Sequence, residues 1–147
     1  MTSDLWLDSC VLAKLVLSES DSSVVQKLVQ SEIDQSRAIR VLDLALIEVG
    51  NVIWKTWRRK LIETKQADVA FNDLMAMRVT VEAALPFLTR GQQLARKYEI
   101  AVYDAVFVAA VEEGDCRGVT SDEALVKKVR ADFPQIERLN SSALPNA

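Results

Sequence analysis

Four carboxylates stand where the surrounding residues leave little water for them. Asp8 closes the short apolar run Leu5-Trp6-Leu7 and is followed by Ser9. Glu48 lies in Leu44-Ala45-Leu46-Ile47-Glu48-Val49-Gly50-Asn51-Val52-Ile53, four residues from both Leu44 and Val52, on a helix face that is otherwise apolar. Asp104 is the only charge between Ala101 and Ala110. Asp122 follows Val119-Thr120-Ser121. An unpaired buried charge is costly, so a carboxylate that interrupts an apolar pattern needs a reason that one on a solvated helix face does not. Plain structural reasons exist for three of them. Asp8 and Asp122 could be helix N-caps, and Asp104 could gain about 0.3–1 kcal/mol from a helix dipole. Glu48 has no such ready explanation. Taken together, the four are hard oxygen donors of one sign. Carboxylates held close repel one another, and a divalent cation such as Mg²⁺ or Mn²⁺ resolves the repulsion.

The rest of the composition narrows the chemistry. The chain has no histidine, which excludes Ser-His-Asp and Cys-His nucleophiles, His-liganded zinc and His general bases. Cys10 and Cys116 are far apart and form no C-x-x-C, so they read as two free thiols in a reducing compartment, with a disulfide as the alternative. Any catalysis must therefore use carboxylates, hydroxyls, Lys or Arg. With 18 basic against 21 acidic residues the net charge is -3, which argues against holding nucleic acid by bulk electrostatics. A local exception is Trp54-Lys55-Thr56-Trp57-Arg58-Arg59-Lys60. Basic residues suit a helix C-terminus in any case; contact with RNA backbone or docking of a partner are the other readings.

Elements must bring the four carboxylates together. The chain is 147 residues, 50% hydrophobic and 27% charged, with four Gly and three Pro, which suits one helix-rich domain over residues 1–147. Leu5 to Leu7 is expected as a first buried strand, followed by a helix with Val11, Leu12, Leu15 and Val16 on one face. Asp21-Ser22-Ser23 should cap a second helix with Val24, Val25, Leu28, Val29 and Ile33 inward. Ala38 to Leu42 is a strand, and Asp43 should cap a long helix to about Leu61. Thr64 or Lys65 opens another helix through Met77, and β-branched Val79-Thr80-Val81 is a third strand. Helices over about Thr89 to Tyr98 and Val102 to Glu113 follow, then a strand from Cys116 to Thr120, a helix from Asp122 to Val129 and a strand from Ile136 to Leu139. Strands alternating with helices imply a parallel sheet covered on both faces, with ligands beyond the carboxyl ends of the strands at the switch in strand order.

Asp8-Ser9-Cys10-Val11-Leu12-Ala13-Lys14, Glu48 on a long helix, Tyr103-Asp104-Ala105 and Thr120-Ser121-Asp122-Glu123-Ala124-Leu125 together resemble the PIN domain. More narrowly, they resemble the VapC ribonuclease toxins of prokaryotic toxin–antitoxin pairs. The resemblance runs from Trp6 to about Leu139, and the segment from Thr120 to Leu125 is its most specific piece. It implies a three-layer α/β/α sandwich on a central parallel sheet. It also implies a Mg²⁺- or Mn²⁺-dependent endoribonuclease, in which Asp8, Glu48, Asp104 and Asp122 hold metal and carry catalysis, supported by Ser9 and Thr120. Cys10 stands where Ser or Thr is commoner in that family.

The resemblance further implies a homodimer and a cognate antitoxin that keeps the enzyme silent. An antitoxin Arg inserted among the carboxylates would compete with the cation. The helices around Trp54, Trp57 and Leu61 are candidates for an accompanying groove, and the tail from Asn140 to Ala147 carries no basic side chain that could do the same in cis. Two other functions compete with the nuclease. A receiver-like phosphoacceptor domain would need a Lys after the last strand, where Leu139-Asn140-Ser141-Ser142 offers none. A non-catalytic interaction module on the same fold would leave four carboxylates without a purpose. The N-terminus shows no signal peptide and no apolar stretch reaches membrane-spanning length, so a cytoplasmic protein is expected.

Overall fold

The computed structural model describes residues 4–139. The tail read from Asn140 to Ala147 lies outside the described residues. Five parallel strands are β1 (Leu5–Leu7), β2 (Ile39–Leu42), β3 (Thr80–Glu82), β4 (Arg117–Thr120) and β5 (Ile136–Arg138). Their spatial order is β3-β2-β1-β4-β5. The chain grows outward from β1 in one direction, then returns to β1's other side and grows in the opposite direction. The switch point is the crevice between β1 and β4, where Leu5 pairs with Arg117 and Leu7 with Val119.

Among the described residues, seven α-helices cover the sheet: α1 (Ser9–Ala13), α2 (Ser22–Asp34), α3 (Asp43–Arg58), α4 (Thr64–Ala76), α5 (Leu88–Tyr98), α6 (Val102–Gly114) and α7 (Glu123–Val129). The strands explain the layers. Successive side chains point to opposite faces, so Leu5 and Leu7 join a core with Val11, Val25, Val41, Val49 and Leu74. Trp6 points the other way, into a second core with Phe87, Leu94, Phe107 and Ile136. Both faces are buried, as a sheet of crossover connections requires. The result is a three-layer α/β/α sandwich.

Small residues set how closely α6 lies on its neighbours. A Cβ on Gly118 of β4 would come within 2.8 Å of Val111 Cγ2 and 3.2 Å of Phe107 Cζ. One on Gly91 of α5 would come within 2.8 Å of Val106 Cγ1. These two contacts fix the depth and tilt of the helix that carries Asp104.

Several boundaries differ from the sequence reading for identifiable reasons. Leu42, not Asp43, occupies the N-cap of α3; Asp43 is the first helical residue, and its Oδ1 accepts from the backbone N–H of Leu44 and of Ala84. The same helix stops at Arg58 rather than Leu61 because Lys60 turns into the left-handed region, with φ 60°. Asp21 stands at the N-cap of α2 without a side-chain capping bond; its carboxylate pairs with Lys14 instead. Ile33 is exposed, and its neighbour Glu32 is fully buried in its place. The third strand begins at Thr80, one residue later than read.

Candidate active site

Asp8 leaves β1 at the switch point. Its backbone N–H donates to the Val119 carbonyl at 3.0 Å, which clamps the end of β1 to β4. Its side chain does serve as the N-cap of α1, with Oδ1 accepting from Ser9 N at 2.9 Å. The other oxygen, Oδ2, accepts from the Thr120 hydroxyl at 2.7 Å and more weakly from Cys10 Sγ at 3.7 Å. Thr120 is fully buried at the end of β4, and its Oγ1 also accepts from the backbone N–H of Asp122 at 3.1 Å. One hydroxyl thus sets the positions of two carboxylates. Asp122 in turn caps α7, accepting from Leu125 N at 3.1 Å. Capping and site-building coexist at both residues.

Glu48 reaches the same crevice from α3. Val49 and Ile53 bury the neighbouring face of that helix, and the Ser9 hydroxyl donates to Glu48 Oε2 at 3.1 Å. Asp104 arrives from the first turn of α6, the helix seated by Gly91 and Gly118. Among the described residues its carboxylate has no hydrogen-bond or ion-pair partner.

The electrostatics show that the four share one field. Burial pushes the Asp8 carboxyl up, with the Asp122 charge adding to it. Burial also raises Glu48, again with help from Asp8. Asp104 is raised to about 6, first by burial and then by the charges of Asp8, Asp122 and Glu48. None of the four is ion-paired to a Lys or Arg among the described residues. The side chains converge in charge rather than in contact: among the described residues, no three His, Cys, Asp or Glu form a closed cluster of the kind that grips a metal. The donor set nevertheless fits a hard divalent cation, since it is all oxygen and all anionic, and its members repel one another.

Two nearby groups were not legible as site residues. Cys10 turns its sulfur into the Asp8–Thr120 network, 3.4 Å from Thr120 Oγ1, and accepts from Ser121 N at 3.3 Å. Its place beside Asp8 in the sequence was the available signal. Lys128 of α7 lines a recess of about 150 Å³ together with Asp104 and Asp122. Its ammonium donates to the Glu99 carbonyl at 2.9 Å, not to either carboxylate. That contact depends on the left-handed turn at Glu99, φ 54°, which no sequence pattern announced.

Comparisons with known proteins agree with this fold. The family model for the PIN domain matches residues 5–131. Ribonuclease VapC3 of Pyrobaculum aerophilum is 30% identical over 129 residues, covering 86% of this chain and 95% of that protein. Among solved structures, PAE2754 from Pyrobaculum aerophilum superposes with a TM-score of 0.67 at 21% identity, over 86% of this chain and 79% of its own. A toxin–antitoxin complex from Klebsiella pneumoniae gives 0.60 at 15% identity, over 92% of this chain and 96% of that one. FitAcB from Neisseria gonorrhoeae gives 0.62 at 14% identity, over 95% and 99%. At those identities the structural matches speak for the fold.

Proposed function

The chain belongs to the PIN domain family, and on that premise we propose that it is a metal-dependent endoribonuclease toxin held silent by an antitoxin. What supports the reading is that Thr120 bonds to both Asp8 and Asp122, that Ser9 bonds to Glu48, and that the charges of Asp8, Asp122 and Glu48 all bear on Asp104, with no Lys or Arg paired to the four among the described residues. RNA as the substrate rests on the relative named a ribonuclease, and a restraining partner on the relative solved as a toxin–antitoxin complex. Asp8, Asp104 and Asp122 would hold Mg²⁺ or Mn²⁺, with Glu48 beside them. A bound cation there supplies the positive charge a phosphodiester needs to approach four carboxylates, and it acidifies water.

The protein's own residues do the positioning. Thr120 holds Asp8 and Asp122 at a fixed separation through one hydroxyl. Ser9 orients Glu48 through its hydroxyl, and Glu48 would bind the cation or accept a proton from water. Asp104, raised to about 6 without a cation, is a carboxylate whose charge state answers to whatever neutralises the site. An Arg offered by an antitoxin would meet the same unpaired oxygens and compete for them. A homodimer would cover exposed Leu85, Leu88 and Tyr103, which line an apolar hollow with Leu44, Val102 and Val106. Light scattering at tens of micromolar should then show a dimer, and a clean monomer would remove that part of the reading.

The deciding measurement is cleavage of labelled RNA by purified protein in Mg²⁺ or Mn²⁺ and in chelator. Asp8→Asn and Asp122→Asn should each lose more than the roughly 10–100-fold that outer partners of a metal site are worth, with no loss of thermal stability in chelator. Wild type that cleaves at full rate in chelator would overturn the metal mechanism. Co-expression with the product of the adjacent upstream gene tests the antitoxin; free toxin and unchanged cleavage would leave the nuclease alone.

A further inference from the structure

The residues that follow Glu48 along α3 form a surface that the carboxylate site does not use. At 3.6 residues per turn, positions seven and eleven residues on lie within about 20° of Glu48 around the helix. Those positions are Lys55 and Arg59, with Val52 between them and Glu48 on the same stripe, and all three are exposed. The rise of the helix sets Lys55 about 10 Å and Arg59 about 16 Å from Glu48. Arg58 and Lys60 extend the positive charge, and Arg58 stacks over the ring of Trp54 at 5.3 Å. Trp54 and Trp57 keep nearly half their surface open to solvent, at 47% and 43%.

These cations differ from most others in the chain. Lys14, Arg37, Arg40, Arg90 and Arg117 all reach carboxylates. Among the described residues, Lys55, Arg58, Arg59 and Lys60 pair with none. Lys27, Lys65, Arg78, Arg96 and Arg130 reach no carboxylate among the described residues either, but these four cations are clustered between positions 55 and 60, and such a local positive patch in a chain of net charge -3 attracts a polyanion. We infer that the stripe from Lys55 on α3 to Arg59 at its C-cap is a track for the single-stranded RNA flanking the cleaved bond, Lys55 and Arg59 contacting successive phosphates. The inference rests on the ribonuclease reading and deepens it.

The charge pattern favours RNA over a protein partner at this face. A partner that delivers cations to the four carboxylates would be repelled by four more cations on the helix leading there. A polyanion is attracted by them, whatever its sequence. The spacing along the helix corresponds to a few nucleotides beyond the bond cut beside Glu48.

The test compares a dinucleotide, whose single phosphodiester is the cleaved bond and which cannot reach the track, with single-stranded RNA of about twelve nucleotides. In the variant Lys55→Gln/Arg59→Gln, kcat/KM on the long RNA should fall about tenfold, mainly through KM, while the dinucleotide is cleaved as by wild type. The slope of log kcat/KM against log salt should flatten by about 1.4, since each phosphate contact to a single strand is worth about 0.7. The charge-keeping swap Lys55→Arg/Arg59→Lys should restore both. An unchanged slope in the neutral variant overturns the track, as does an equal loss in the charge-keeping swap. Unchanged RNA cleavage combined with lost co-purification of a partner protein gives the face to that protein and overturns it too. A wild type that cleaves neither RNA overturns the ribonuclease reading itself. A wild type that cleaves both, with an unaltered slope in the variant, overturns only the track.

Discussion

Asp4 and Asp8 bracket the same three-residue strand and are held in opposite ways. At the amino end of β1, Arg40 donates to Asp4 Oδ2 at 2.8 Å and Ala38 N adds a bond, and the guanidinium holds this carboxyl below its ordinary value. Arg40 also pairs with Glu82. At that end of the sheet too, Glu32 is fully buried between Arg37 and Arg117, at 2.9 and 2.7 Å. At the carboxyl end, burial raises Asp8, and the neighbouring charges are Asp122, Glu48 and Asp104. Each end buries acidic groups, and only one supplies the cations. The paired end holds the fold together; the unpaired end is set up to accept charge from outside.

Breaking the paired end should have the largest effect. Arg37→Ala/Arg117→Ala strands the buried Glu32 without a cation, and removing the partners of a buried charge costs about 3–5 kcal/mol. Urea denaturation should show that loss at pH 7 in chelator, with RNA cleavage per folded molecule unchanged. Replacing Glu32, Arg37 and Arg117 together by apolar residues of similar volume should cost far less, because no stranded charge remains.

The unpaired end should respond with the opposite sign. Asp104→Asn removes one of four repelling charges, so in chelator at pH 7 it should stabilise the protein by about 1–2 kcal/mol, once the raised pKa is discounted for solvent screening. The pH dependence follows from the same displacement. With its folded value near 6 against an ordinary 3.8, Asp104 favours folding fully below about pH 4, and this contribution is lost as pH rises through about 6. Asp4, lowered by Arg40, works the other way: its contribution is present above the ordinary carboxylate value and lost as pH falls. Metal-free wild type should therefore gain stability from pH 7 to pH 5, and Asp104→Asn should flatten that gain. Saturating Mg²⁺ should remove most of the difference between the two.

The sequence carried this contrast unevenly. Asp8, Glu48, Asp104 and Asp122 stood out because each interrupts an apolar pattern or follows a strand, and the alternation of strands with helices pointed to the carboxyl ends of the strands at a switch in strand order, which only the fold identifies as the gap between β1 and β4. Glu32 escaped because the inward face of α2 was read through Ile33, whereas Val25, Leu28 and Glu32 share the buried face at spacings of three and four. Its acceptability depends on Arg117, 85 residues away, which periodicity cannot show. The shortfall at α3 had a different cause. Asp43 looks like a cap, but Ala84 N competes for its carboxylate, and a tertiary contact displaced a local one. Lys128 likewise depends on a backbone turn at Glu99 that side-chain patterns do not encode.

The smallest expected effect is the most local probe of the unpaired end. Cys10 sits in the Asp8–Thr120 network, and its thiol is raised first by burial and then by the charge of Asp8, while bonds from Ser121 and Thr120 partly oppose the shift. The thiolate is the reactive form, so at pH 7 in chelator iodoacetamide should label Cys10 more slowly than free cysteine. Asp8→Asn removes the charge and leaves the burial, so labelling should speed up by a few fold without reaching the rate of free cysteine. The cation expected beside Asp8 should act in the same direction, because it offsets the same negative charge on the thiolate. Mass spectrometry of Cys10 labelling with and without Mg²⁺ then reads the field at Asp8 with no RNA present. If Asp8→Asn leaves the rate unchanged, the repulsion attributed to Asp8 is too weak at that distance, and the contrast between the two ends of β1 reduces to burial alone.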